Sequence, residues 1–115
     1  MKSGARTPEE LDALLEDAFV VHDRWALAVL FEREALVADG AAREARGTRA
    51  IASWAVETWS RGLTYVGAAP RVLQARETAL VVTPQAIGVA RRDDGAWRYA
   101  IALLSFDHRT TKEEQ

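Results

Sequence analysis

Asp39 is the residue in this chain best placed to do chemistry. It closes the run Ala35-Leu36-Val37-Ala38-Asp39, an apolar strand that ends in a carboxylate. At the mouth of an apolar cavity such a group has a raised pKa, because its charged form loses water, and that suits proton abstraction near neutral pH. Asp39-Gly40 is also an ordinary turn opening, and both readings stand. The second group of candidates is aromatic. Trp25, Trp54, Trp59 and Tyr65 are many for 115 residues. Aromatic rings stack on planar ligands, yet at helical spacing they more often belong to a core. That places Trp54 in the core and leaves Phe19, Trp25, Trp59 and Tyr65 as candidate pocket wall. Among the polar residues on presumed strands, Gln74 and Tyr99 are the candidates to point inward, whereas Thr83 and Gln85 read as facing solvent.

Other chemistries are excluded by composition. Cysteine is absent, so disulfides, thiolate catalysis and cysteine-ligated metals are out. His22 and His108 are the only histidines and stand far apart, so no metal site and no cofactor is expected. His22-Asp23 is better read as a helix junction with Asp23 as cap than as an acid–base dyad, because adjacent residues there seldom face one another. A net charge of −2 with scattered arginines offers no basic face for nucleic acid or an anionic membrane. No apolar run reaches the roughly 18 residues of a membrane span, and MKSGARTPEE has no apolar signal region. The expectation is a cytoplasmic protein with no nucleic-acid or membrane partner.

The elements that must position these residues follow from the patterning. Residues 1–6 read as disordered, residues 7–107 as a single domain and residues 108–115 as a polar tail. Thr7-Pro8-Glu9-Glu10 opens a helix with cap, N1 proline and capping-box glutamate. Its apolar stripe is Leu11, Leu14, Leu15, Ala18 and Phe19. Asp23 caps a short second helix through about Phe31, and Glu32-Arg33-Glu34 is a polar corner before the strand to Asp39. A loop with a short extended piece at Glu44–Arg46 leads to Thr48, the expected cap of a third helix. Its face is Ile51, Trp54, Ala55, Thr58 and Trp59, and Arg61-Gly62 stops it. The period then changes to two. Leu63–Val66 suggests a strand start, followed by strands at 71–76, 80–83, 87–92 and 97–106, with Asp93-Asp94-Gly95 as the clearest hairpin turn.

The segments HDRWALAVLFEREALVADG, ARGTRAIASW and RRDDGAWRYAI, in that order, resemble the nuclear transport factor 2-like superfamily. That group includes ketosteroid isomerases, SnoaL-like cyclases and limonene epoxide hydrolases. The resemblance covers roughly residues 8 to 106. It implies an α+β fold in which three N-terminal helices pack on a strongly curved antiparallel sheet, forming a cone-shaped half-barrel. It places Asp39 where ketosteroid isomerases carry their general base. The oxyanion-binding partners of that chemistry are missing, since the matching positions fall near Leu15 and Ile87-Gly88. A true ketosteroid isomerase is therefore not expected. About twenty residues between Arg71 and the Asp-Gly turn make a short sheet, which argues against a large enclosed substrate.

Two function classes follow. One is a small dimeric SnoaL-like domain whose apolar pocket binds a small hydrophobic molecule, or a non-catalytic binding module. The other is a cofactor-free isomerase, cyclase or dehydratase with Asp39 as general acid-base. A homodimer through the sheet is expected in either case. The last strand is apolar on both faces beyond Arg98, and helices can cover only one of them.

Overall fold

The computed structural model describes residues 4–40, 43–65 and 69–105. Residues 1–3, Val66, Phe106, His108 and the tail at 108–115 lie outside the described residues. The order of elements is α1 (Pro8–Val21), α2 (Arg24–Ala28), β1 (Phe31–Asp39), β2 (Glu44–Arg46), α3 (Thr48–Ser60), β3 (Arg71–Ala75), β4 (Thr78–Thr83), β5 (Ala86–Asp93) and β6 (Ala96–Leu104). Local signals set most of these ends. Thr7 Oγ1 accepts from the Glu10 N–H at 3.0 Å and Asp23 Oδ1 from the Ala26 N–H at 3.0 Å, so both expected caps form. Glu10 reaches back one residue further than a capping box requires, to the Arg6 N–H at 2.7 Å. At the tip of the β5–β6 hairpin, Asp94 (φ 56°) and Gly95 (φ 81°) both adopt the left-handed region that a two-residue turn of this kind demands.

Three boundaries differ from expectation. The second helix ends at Ala28, because Phe31 is drawn into β1 opposite Tyr99. Thr48 does not cap α3: Gly47 is the boundary residue, Thr48 is already helical, and no side chain caps this end. The segment Leu63–Tyr65 forms no regular element. Within the leader read as disordered, Ala5 is buried and accepts from the Trp97 N–H at 2.9 Å, forming an isolated bridge.

The six strands form one open sheet in the order β2-β1-β6-β5-β4-β3. Every pairing is antiparallel except β1 with β6, which run parallel, so the sheet is mixed. A register shift places Val89 opposite Ile101 but Ala90 opposite Tyr99, leaving Ala100 as the extra residue of a bulge in β6. The bulge breaks the strict alternation expected for this strand. Trp97, Tyr99, Ala102 and Leu104 face the core, while Ile101 and Leu103 face outward. The helices cover the inner face, with α1 against β4 and β6 and α3 against β1.

Inside the curve, space is made by small residues. Ala79, Gly88, Ala90 and Ala102 all lie on the inner face. A Cβ at Gly88 would stand 2.6 Å from Cε1 of Tyr99, so the tyrosine ring lies directly over this glycine. We expect Gly88→Ala to lower stability by about 1–3 kcal/mol, as overpacking of a filled core does. Urea unfolding of the variant beside wild type measures it.

Candidate functional site

Asp39 lies at the inner end of β1, 7% exposed, and protein donors hold both of its oxygens. The Trp54 indole N–H donates to Oδ2 at 3.0 Å and the Arg43 backbone N–H to Oδ1 at 3.2 Å. The Asp39 N–H in turn donates to the Arg43 carbonyl at 3.0 Å, closing the turn between β1 and β2. The Arg43 guanidinium stands 4.0 Å from Oδ2 and pairs with Glu57 on α3. The carboxylate thus joins strand end, turn and helix, as an anchor does. Trp54 is core, as its spacing predicts.

The candidate pocket-wall residues divide. Phe19 is fully buried and meets three aromatic rings, at centroid distances of 6.2 Å for Trp54, 5.9 Å for Trp59 and 5.9 Å for Tyr65. Trp59 is half-buried and stacks on His22 at 4.8 Å, and its indole N–H is buried without a hydrogen-bond partner. Tyr99 is buried on the inner face against Phe31. Two candidates stand apart from this group. Trp25 is exposed on α2 beneath the Arg24 guanidinium. Gln74 shares the inner side with Ala79 by register but is exposed on the edge strand, and its amide donates to the Arg76 carbonyl at 3.2 Å.

A second buried carboxylate, Asp12 on α1, is not among the candidates that the sequence singles out. It is 3% exposed and accepts a 2.7 Å hydrogen bond on Oδ1 from the Tyr65 hydroxyl. The Tyr65 oxygen also meets Thr83 Oγ1 at 3.1 Å, and Thr83 Oγ1 accepts from the Gln85 N–H at 3.2 Å. Thr83 is therefore turned inward, not to solvent. Leu11, Asp12, Leu15, Ala18 and Phe19 form the buried stripe of α1, so a polar residue occupying a core position was the available signal. Along the sheet, Thr83, Ala86, Leu104 and Asp39 stand in one row on four neighbouring strands. Three strand spacings, about 14 Å, separate Thr83 from Asp39.

Burial pushes the Asp12 carboxyl above the ordinary carboxylate range; the Tyr65 hydrogen bond opposes this and the nearby Glu16 adds to it. Burial also pushes the Tyr65 and Tyr99 phenols well above the usual tyrosine range, so both stay neutral donors. Because the folded state holds the Asp12 proton more tightly than the unfolded state, it binds more protons between the two pKa values. Stability then falls as pH rises through that window and levels off above it. Each tenfold difference in proton affinity corresponds to about 1.4 kcal/mol. We expect Asp12→Asn, which keeps an acceptor for Tyr65, to be more stable than wild type at pH 7. The advantage should disappear below pH 3.8, the ordinary carboxyl value. Urea melts of both proteins at the two pH values check this.

The described clefts open outside the curve of the sheet. One is lined by charged residues near the hairpin, including Glu32, Arg33, Arg91 and Arg98, and another lies among Val21, Trp25, Val56 and Trp59. Among the described residues, no helix is long and apolar enough to cross a membrane, and no group of three or more His, Cys, Asp or Glu could hold a metal ion.

No family model matches the sequence, and no curated protein matches it. Solved structures do. An NTF2-like protein with a cystatin-like fold from Novosphingobium aromaticivorans superposes with a TM-score of 0.70 at 18% identity, covering 89% of this chain and 80% of its own. A ketosteroid isomerase-like protein from Erwinia carotovora atroseptica gives 0.67 at 16%, covering 85% and 92%. A putative calcium/calmodulin-dependent protein kinase type II association domain from Thiobacillus denitrificans gives 0.72 at 13%, covering 93% and 100%. Identities this low speak for fold and not for activity. The chain has the cystatin-like α+β fold of these structures.

Proposed function

We propose that this chain is a non-catalytic, SnoaL-like binding domain that works as a homodimer and binds a small hydrophobic molecule. The observation that carries the non-catalytic reading is the engagement of Asp39. A general base must turn a lone pair toward the substrate proton within hydrogen-bond reach. Here Trp54 and Arg43 already donate to both oxygens. The alternative, an isomerase, cyclase or dehydratase using Asp39, would need that anchor to open during turnover.

The dimer reading rests on the outer face of the sheet. The strand registers align Leu36 and Ala38 with Ile101 and Leu103, then with Val89 and Ile87, then with Leu80 and Val82, and finally Leu73. This is one apolar surface crossing five strands, and Leu73, Ile87, Ile101 and Leu103 are each about half exposed. A contiguous patch of this kind marks an interaction surface. A second copy fits it because both partners then bury the same side chains about a two-fold axis.

Sedimentation at micromolar concentration should give twice the 12.7 kDa of the single chain. Ile101→Lys should weaken association by roughly tenfold or more, since it places a charge at the centre of the interface. A wild-type monomer, or an unaffected Ile101→Lys dimer, would remove the sheet-face dimer. Native mass spectrometry of freshly purified protein tests for the retained small molecule.

A further inference from the structure

Half of the backbone of β3 is committed to its neighbour. The Arg92 N–H donates to the Glu77 carbonyl at 2.8 Å, one residue beyond the facing pair Thr78 and Arg91. In an antiparallel ladder a bond placed diagonally in this way flanks a pair that is not itself hydrogen-bonded. Thr78 therefore turns its own N–H and carbonyl the other way, toward Ala75 on β3. The alternation carries along the hairpin. Ala75, Leu73 and Arg71 bond to β4, while Val72 and Gln74 direct their N–H and carbonyl groups outward. β3 is the last strand of the sheet, so among the described residues no strand meets them.

Both ends of this open run are closed. Pro70 precedes it and has no N–H to offer. At the other end the Gln74 side-chain amide donates to the Arg76 carbonyl at 3.2 Å. Exposed edges are usually blunted by shortness, by charge or by proline within the strand. The opposite edge, β2, is such a case, with three residues of which Glu44 and Arg46 are charged. β3 has five residues, and its central one, Leu73, is apolar and 54% exposed.

We propose that this edge pairs antiparallel with the same edge of a second copy of the chain, about a two-fold axis through Leu73. Val72 then faces the partner's Gln74, and Gln74 the partner's Val72. Each of these pairs exchanges two N–H···O=C bonds, so every group that Val72 and Gln74 leave open is used. Moving the axis to Val72 or to Gln74 would set an open residue against Pro70 or Arg76 and lose bonds. Leu73 meets the partner's Leu73 on the outer face, where register aligns it with Leu80, so the apolar surface continues across the junction. Arg71 faces the partner's Ala75, which keeps the two Arg71 side chains roughly 13 Å apart along the strands. The contact is smaller than the roughly 1,200 Å² of a stable interface. It is therefore weaker than the sheet-face contact and independent of it, and a chain that uses both assembles beyond the dimer.

The absence of cysteine makes cross-linking a direct test. Facing residues of a non-hydrogen-bonded antiparallel pair stand about 4.5 Å apart at Cα, within reach of a disulfide. In oxidised glutathione, Leu73→Cys should form a covalent dimer about tenfold faster than Ala75→Cys, because only the first thiol is held beside its own copy. Arg71→Cys mixed with Ala75→Cys should cross-link to each other faster than either does with itself. Adding Gln74→Pro, which removes an outward N–H and no bond to β4, should bring Leu73→Cys down to the Ala75→Cys rate. If Gln74→Pro does not fold, the mixed pair decides. Equal rates for the single variants, with no preference in the mixture, would overturn the self-pairing and leave the edge to an extended segment of another protein. A Leu73→Cys cross-link that survives Gln74→Pro would overturn it as well and assign the contact to the sheet face.

Discussion

One buried hydrogen bond, from the Trp54 indole to the Asp39 carboxylate, locks the helical layer to the sheet. It joins the last residue of β1 to the middle of α3 at 3.0 Å, and the Arg43 N–H fixes the other oxygen from the turn. With α3 held there, Trp54 and Trp59 project into the space where α1 brings Phe19, and four aromatic rings converge. Their edge-to-face contacts add specificity to the burial they already provide. A carboxylate in this setting is expensive to bury and keeps its place through its donors. Losing them would leave an uncompensated charge beneath the helix.

The same economy governs the other end of the interior. Asp12 would be an error in the α1 stripe were it not for Tyr65, which enters from a segment with no regular structure and bonds to it. Thr83 and the Gln85 N–H extend that bond into a chain in which each hydroxyl both donates and accepts, and such chains polarise one another favourably. Between the two carboxylates the inner face carries small residues, and Tyr99 occupies the room they leave. The outer face shows the opposite pattern, with large aliphatic side chains open to solvent.

Much of this was legible in the chain. Thr7, Asp23 and Asp94-Gly95 act through local chemistry, which is why their positions could be read without knowing the fold. The stripe of α3, with Trp54 in the core, followed from helical period alone. The parity of β6 did not, because the bulge at Ala100 depends on how β5 pairs, and pairing is a property of two strands. Periodicity does not reveal the role of Asp12 either, because a polar side chain does not count toward an apolar stripe. Thr83 escapes sequence reading for a related reason: its inward turn is secured by Tyr65, eighteen residues away in sequence and outside any element. Asp39 ends β1 as its apolar run implies, but its anchoring partners come from a turn and a helix that only the fold brings to it.

The central claim is that Asp39 serves structure through Trp54. A double-mutant cycle with Asp39→Asn and Trp54→Phe, followed by urea unfolding at neutral pH, measures that bond directly. Each single change should destabilise the protein, and the pair should be coupled by about 1 kcal/mol or more, as befits a buried hydrogen bond to a carboxylate. An Asp39→Asn variant at least as stable as wild type, with no coupling to Trp54, would contradict the account and restore Asp39 as a candidate general base.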